Sequence, residues 1–105
     1  AFPAWLAPVQ VAVLPISEKH LGYATKVTDS LKLVNIRCEL DARSESLGAK
    51  IRDAEMQKVP FILVMGDKEV EAGTVTVRAR GHKETEVYTI EKFKDAILDA
   101  IMNRK

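Results

Sequence analysis

The run Phe61-Ile62-Leu63-Val64-Met65 contains no polar side chain, and no other segment constrains the fold as strongly. Pro60 precedes it and Gly66-Asp67 closes it, which gives it the length and boundaries of a strand rather than a helix. A strand that apolar must be covered on both faces, so it belongs in the middle of a sheet with helices above and below. Residues 9–16, Val-Gln-Val-Ala-Val-Leu-Pro-Ile, form a second β-branched run, expected to be a buried strand ending near Pro15. Ser17 then offers an N-cap, and Leu21, Ala24, Val27 and Leu31 recur at helical spacing to about residue 33. Asn35 suits the left-handed turn that closes such a helix. Ile36, Cys38 and Leu40 alternate inward along a strand over 36–41.

The stretch from Asp41 to Gly48 is polar and turn-like. After it a short helix gathers Leu47, Ile51 and Ala54 on one face, leaving Lys50, Arg52 and Lys58 more exposed. Beyond the central strand, Asp67–Gly73 is acidic and turn-forming. In 74–80, Val75, Val77 and Ala79 point to the core while Thr74, Thr76, Arg78 and Arg80 share the open face. A loop at Gly81-His82-Lys83 leads to a short strand near 86–89, and a last helix, about Ile90 to Met102, buries Ile90, Phe93, Ile97 and Ile101. The order β-α-β-α-β-β-β-α predicts a three-layer α/β/α fold with a mixed five-stranded sheet. Its first three strands are parallel through right-handed helical crossovers, and its last strands pair antiparallel. Residues 1–8, with two prolines and Trp5, are expected to be an extended lead-in, and 9–105 the domain.

Several function classes drop out early. A chain of 105 residues supports one core, since about two-thirds of its unfolded surface is buried at this size. No apolar stretch approaches the roughly 20 residues that span a bilayer. The opening residues carry no signal-peptide pattern, and the missing initiator Met fits either an excised piece or Met removal before Ala. Cys38, the one cysteine, is expected to be a buried small hydrophobe. His20 and His82 have no histidine or cysteine at ligand spacing and are expected to be ordinary surface residues. The five glycines are scattered, so no phosphate-cradling loop is present. Asp41 and Asp67, with Glu18, stand where an acidic metal cluster of the phospho-receiver kind would form. The acidic pair after the first strand and the lysine after the last are both missing, which favours turn-forming roles.

One group is left: Arg43, Glu45, Arg52, Glu69, Arg78 and Arg80, interleaved in sign. Such a set is either a mutually compensating charged surface or a reader of unpaired bases. Arginine donates to guanine O6 and N7, and a carboxylate accepts from the N1–H and N2–H₂ that only an unpaired guanine exposes. Lys50 and Lys58 are candidates for phosphate contacts, which position a strand without reading it. A net charge of +1, from 16 basic and 15 acidic residues, argues against a purely phosphate-holding surface but not against a reader that uses both signs.

At this point a resemblance enters. Phe2-Pro3-x-Trp5-Leu6-Ala7-Pro8-Val9-Gln10-Val11 is similar to the segment leading out of the catalytic domain in threonyl-tRNA synthetases. Gly48-x-Lys50-Ile51-Arg52 and Lys58-Val59-Pro60-Phe61-x-Leu63-Val64-x-Gly66-Asp67-Lys68-Glu69-Val70-Glu71-x-Gly73-x-Val75-x-Val77-Arg78 resemble the C-terminal anticodon-binding domain of that family. The likeness covers about residues 2–102 and is weakest after Gly81. Prolyl, glycyl and histidyl synthetases have related domains, and a stand-alone module that has lost tRNA binding is a further alternative.

The resemblance implies a mixed five-stranded sheet flanked by helices, as expected above. It implies that Glu69 and Arg78 read the middle guanine of threonine anticodons, the alternative being a plain cross-strand salt bridge between them. It implies further anticodon contacts from Arg52 and from the turn Asp41-Ala42-Arg43-Ser44-Glu45-Ser46, so from Arg43, Ser44 and Glu45. In that turn the family's usual Asn is Ser44 and its usual Lys is Ser46. Lys50, Lys58 and Arg80 are the candidates for phosphate contacts. The implied parent is a cytoplasmic, homodimeric threonine–tRNA ligase whose catalytic domain uses ATP, Mg and Zn. The present residues would be non-catalytic, without a cofactor of their own, and would bind threonine tRNA beside the catalytic domain of the same chain.

Overall fold

The computed structural model describes residues 3–81 and 84–103. Strand β1, Val11–Pro15, is buried along its whole length, as a β-branched run between two helical layers must be. A single 3₁₀ turn, Glu18–His20, then feeds helix α1, Leu21–Leu33, whose Ala24, Val27 and Leu31 are buried. Asn35 closes the helix at φ 63°, the left-handed conformation that its short side chain tolerates. Strand β2 covers Cys38–Leu40, and helix α2, Leu47–Met56, begins where Ser46 Oγ accepts the Ala49 N–H. Strand β3, Phe61–Met65, is the central strand expected from its apolar run.

Asp67–Ala72, expected to be a turn, is instead a short helix, α3. Its acidic first turn suits the N-terminal end of a helix. Glu69 Oε1 accepts the Gly66 N–H at 2.7 Å, and Gly73, at φ 69°, supplies the left-handed exit. Strand β4, Thr74–Ala79, follows, then β5, Glu86–Thr89, and helix α4, Ile90–Met102, opened by Thr89 Oγ1 on the Lys92 N–H. His82 lies outside the described residues.

The strands lie in the order β2-β1-β3-β4-β5. β1 pairs parallel with β2 and β3, and β3–β4 and β4–β5 are antiparallel, so the expected mixed sheet is present. Each face carries its own core. On one face α1 and α4 cover Val11, Val13, Leu63, Met65, Val75 and Val77, with Phe61 and Phe93 edge-on at 6.0 Å. On the other, α2 covers only β1 and the near side of β3, through Ala12, Leu14, Ala54, Val59 and Ile62.

The described residues before β1 do not hang free. Ala4–Leu6 forms a 3₁₀ turn, and Ala4 and Ala7 are buried. Buried Gln10 donates from Nε2 to the Ala4 carbonyl and accepts the Arg37 N–H. Arg37 donates from Nε to the Ala7 carbonyl and from Nη2 to the Trp5 carbonyl. The described part of this segment is therefore bolted to the sheet rather than extended away from it.

Candidate nucleic-acid interface

Because α2 is short and sits over β1, the same face of β4 and β5 is left uncovered. The register lines up Val64, Thr76 and Val87 across three strands, with Thr74 beside Thr89 and Arg78 beside Ile62. Val87 is 65% exposed, and Val64, Thr74, Thr76 and Arg78 are only half-buried. An uncovered sheet surface of threonine and valine, edged by arginine, offers flat contacts to an unstacked base and donors to its edge. Arg52 stands exposed on α2. Beside Arg78, a depression of about 240 Å³ is lined by Glu55, Lys58, Ile62, Arg78 and Arg80.

The two residues expected to meet, Glu69 and Arg78, do not. Arg78 lies four residues into β4, roughly 13 Å along the strand from its start, while Glu69 precedes that start in α3. Arg78 Nη2 faces Glu55 Oε2 of α2 at 3.5 Å. Glu69 Oε1 is held by Gly66, and the Glu69 charge, second to burial, pushes up the Tyr23 hydroxyl whose proton goes to the Thr74 carbonyl. Sequence spacing suggested a hairpin with the pair across it, but α3 fills the turn and register sets the two residues at opposite ends of β4.

The turn after β2 is largely self-satisfied. Arg43 grips both oxygens of Asp41, at 2.9 and 2.8 Å, and reaches Asp53 Oδ2 at 2.8 Å. These bonds hold the Asp41 carboxyl below its ordinary range and raise the Arg43 guanidinium further. The Arg43 N–H closes on Asp41 Oδ1, the turn-forming role expected of this aspartate. Ser44 and Glu45 are exposed at the tip. Ser46 is the α2 cap.

Two expectations are corrected outright. Lys50, expected on the exposed side of α2, is 4% exposed and donates from Nζ to the Pro15 carbonyl at 3.3 Å. Its helical position faces the sheet beside Ala54, so its stem packs down and its ammonium emerges under the Asp41 turn. A buried ammonium cannot meet a phosphate in this state. His20, expected at the surface, is also 4% exposed. Its Nδ1 accepts the Ser17 N–H, so Nε2 carries the proton facing Asp67 Oδ1 at 2.7 Å. Together with Lys19, His20 draws the Asp67 carboxyl below its usual range and ties the start of α1 to the start of α3. Nothing in local spacing announces this pair, because 47 residues separate its members. Cys38, by contrast, is buried as expected. Among the described residues, no group of three or more histidine, cysteine, aspartate or glutamate side chains stands where it could hold a metal ion. No described helix is long and apolar enough to cross a membrane.

The fold and its half-open sheet face define a class, and comparison with known proteins gives that class its name. The model of the anticodon binding domain family matches residues 10–100, and the chain belongs to that family. Its relatives narrow the likeness to one kind of enzyme. The threonine–tRNA ligase of a Sulfurihydrogenibium species is 50% identical over 97% of this chain and 16% of its own length. That of Acidobacterium capsulatum is 53% identical over 89% and 14%, respectively. The RNA binding domain of threonyl-tRNA synthetase from Cryptosporidium parvum superposes with a TM-score of 0.91 at 29% identity, over 94% of this chain and 25% of that one. The chain thus spans about one-sixth of the length of the bacterial ligases it resembles.

Proposed function

We propose that this chain serves as the anticodon-binding domain of a threonine–tRNA ligase, recognising the unpaired anticodon bases of threonine tRNA. One observation carries the reading: the sheet face left bare beyond α2, with Arg78 on it and Lys58 and Arg80 beside it, in a chain of this family. In this reading a guanine lies against Thr76 and Val87 and takes two hydrogen bonds from Arg78 at O6 and N7. Glu69 approaches from the α3 end and accepts from N1–H and N2–H₂. Its Oε2 has no bond to any described residue and is available for this.

Arg52, Lys58 and Arg80 steady the RNA backbone, and Ser44 and Glu45 meet the loop from the tip of the β2–α2 turn. Arg43 acts by stiffening that turn through Asp41 and Asp53. Aminoacylation, with its ATP, Mg and Zn, belongs to the catalytic domain of a cytoplasmic, dimeric parent enzyme. This domain supplies only the choice of tRNA.

Titration with anticodon stem-loops that differ only at the middle base tests the reading. The guanine loop should bind best, and Glu69→Ala or Arg78→Ala should remove about 1–3 kcal/mol of that preference. Loops ending G-U and G-G then separate threonine from proline anticodons. Equal binding of all four middle bases by the unaltered domain would overturn the proposal.

A further inference from the structure

The guanidinium that is to read guanine is already engaged. Arg78 Nη2 stands 3.5 Å from Glu55 Oε2, across the gap between β4 and the last turn of α2. A carboxylate asks of an arginine the same donors that guanine O6 and N7 ask. The contact also holds the Arg78 side chain on the Lys58–Arg80 side of the open face, toward the end of β4 opposite Glu69. To share one base with Glu69, Arg78 has to leave Glu55.

We infer that Glu55 is a built-in competitor for Arg78, exchanged for guanine on binding, so that it tempers the guanine preference. This rests on the reading of Arg78 as a guanine contact. Only a base that replaces the carboxylate with two acceptors on one edge makes the exchange worthwhile. Adenine offers one acceptor and one donor there, so it leaves Arg78 with Glu55. The pair is partly exposed, with Arg78 at 35% and Glu55 at 53%, so its hold is weak and reversible. Removing it should therefore strengthen guanine binding selectively, rather than strengthen binding of every loop.

The test is a cycle on the 105-residue chain: unaltered, Glu55→Gln, Arg78→Ala, and both together. Each is titrated with stem-loops carrying guanine or adenine at the middle position. Glu55→Gln should tighten the guanine loop about two- to fivefold more than the adenine loop. In the Arg78→Ala background the same change should shift both loops by one common factor, the effect of removing a charge near phosphates. An equal shift of both loops with Arg78 present would overturn the role of Glu55 alone, provided that Arg78→Ala still abolishes the guanine preference. If Arg78→Ala leaves that preference intact, the reading of Arg78 fails and the competitor role with it. Thermal melts of all four proteins should nearly coincide, because both side chains are outside the two cores.

Discussion

Asp41 answers to Arg43 from three directions: the backbone N–H and two nitrogens of the guanidinium. Those hydrogen bonds lower its pKa, and they outweigh the partial burial that pushes the other way. A carboxyl whose folded pKa is depressed contributes stability above its unfolded value, about 3.9, and loses it as pH falls through the folded value. Asp67, lowered first by His20 and then by Lys19, carries the same sign. The melting temperature should therefore fall as pH drops below about 4. Asp41→Asn should lower stability at neutral pH by no more than about 1 kcal/mol, given the exposure of Arg43, and make the acid limb shallower. A Tm–pH series on both proteins checks this, and an unchanged acid limb would refute it. Lys50 shows the other outcome of burial. Its long stem fills space in the α2 layer while its ammonium rests on the Pro15 carbonyl, so this charge serves packing rather than RNA.

Among the elements, α2 has the end most open to test. The helix stops at Gln57 because Lys58 turns left-handed at φ 59°, which aims Val59 into the core below. That conformation disfavours a residue with a Cβ by about 1–2 kcal/mol, a cost glycine avoids but partly returns in chain entropy. Lys58→Gly is therefore expected to raise stability by about 0.5–1 kcal/mol, measured by urea unfolding. If Lys58 also meets a phosphate, the same variant should bind the stem-loop more weakly. The slope of log K against log salt should then become shallower by about 0.7. A more stable protein that binds RNA less well separates the two roles of one residue. Unchanged salt dependence would remove Lys58 from the interface.

At the scale of the whole molecule, residues 4–7 belong to the fold although the family match begins at residue 10. Ala4 and Ala7 are buried, and Gln10 and Arg37 spend their side-chain donors on the carbonyls of residues 4–7. Removal of residues 1–7 would leave the buried Gln10 amide without its acceptor, a loss of about 1–3 kcal/mol before the packing of Ala4 and Ala7 is counted. The truncated chain should melt markedly lower than the full one. Equal melting temperatures would show that the clamp contributes nothing. The sheet meanwhile has one sealed face and one half-open face. The face under α1 and α4 is sealed by the larger core, and the face that α2 only half covers keeps its outer strands bare.

Periodicity and turn chemistry in the sequence determined the element order, the parallel and antiparallel halves of the sheet, and nearly all of the core. These follow from local rules: β-branched runs, helical spacing and the left-handed Asn35. The same rules mistook α3 for a turn, because six residues are too few to show a period and only the Glu69–Gly66 bond with the Gly73 exit marks them as helical. The arginines and carboxylates proposed to read bases were legible too. Tertiary structure alone decided what each charged group meets: Arg78 with Glu55, His20 with Asp67, Lys50 with a carbonyl beneath the sheet's end. The physical reason is distance along the chain. A periodic face is set by neighbours a few residues away, whereas the partner of a charge is set by sheet register and helix placement, which bring together residues tens of positions apart.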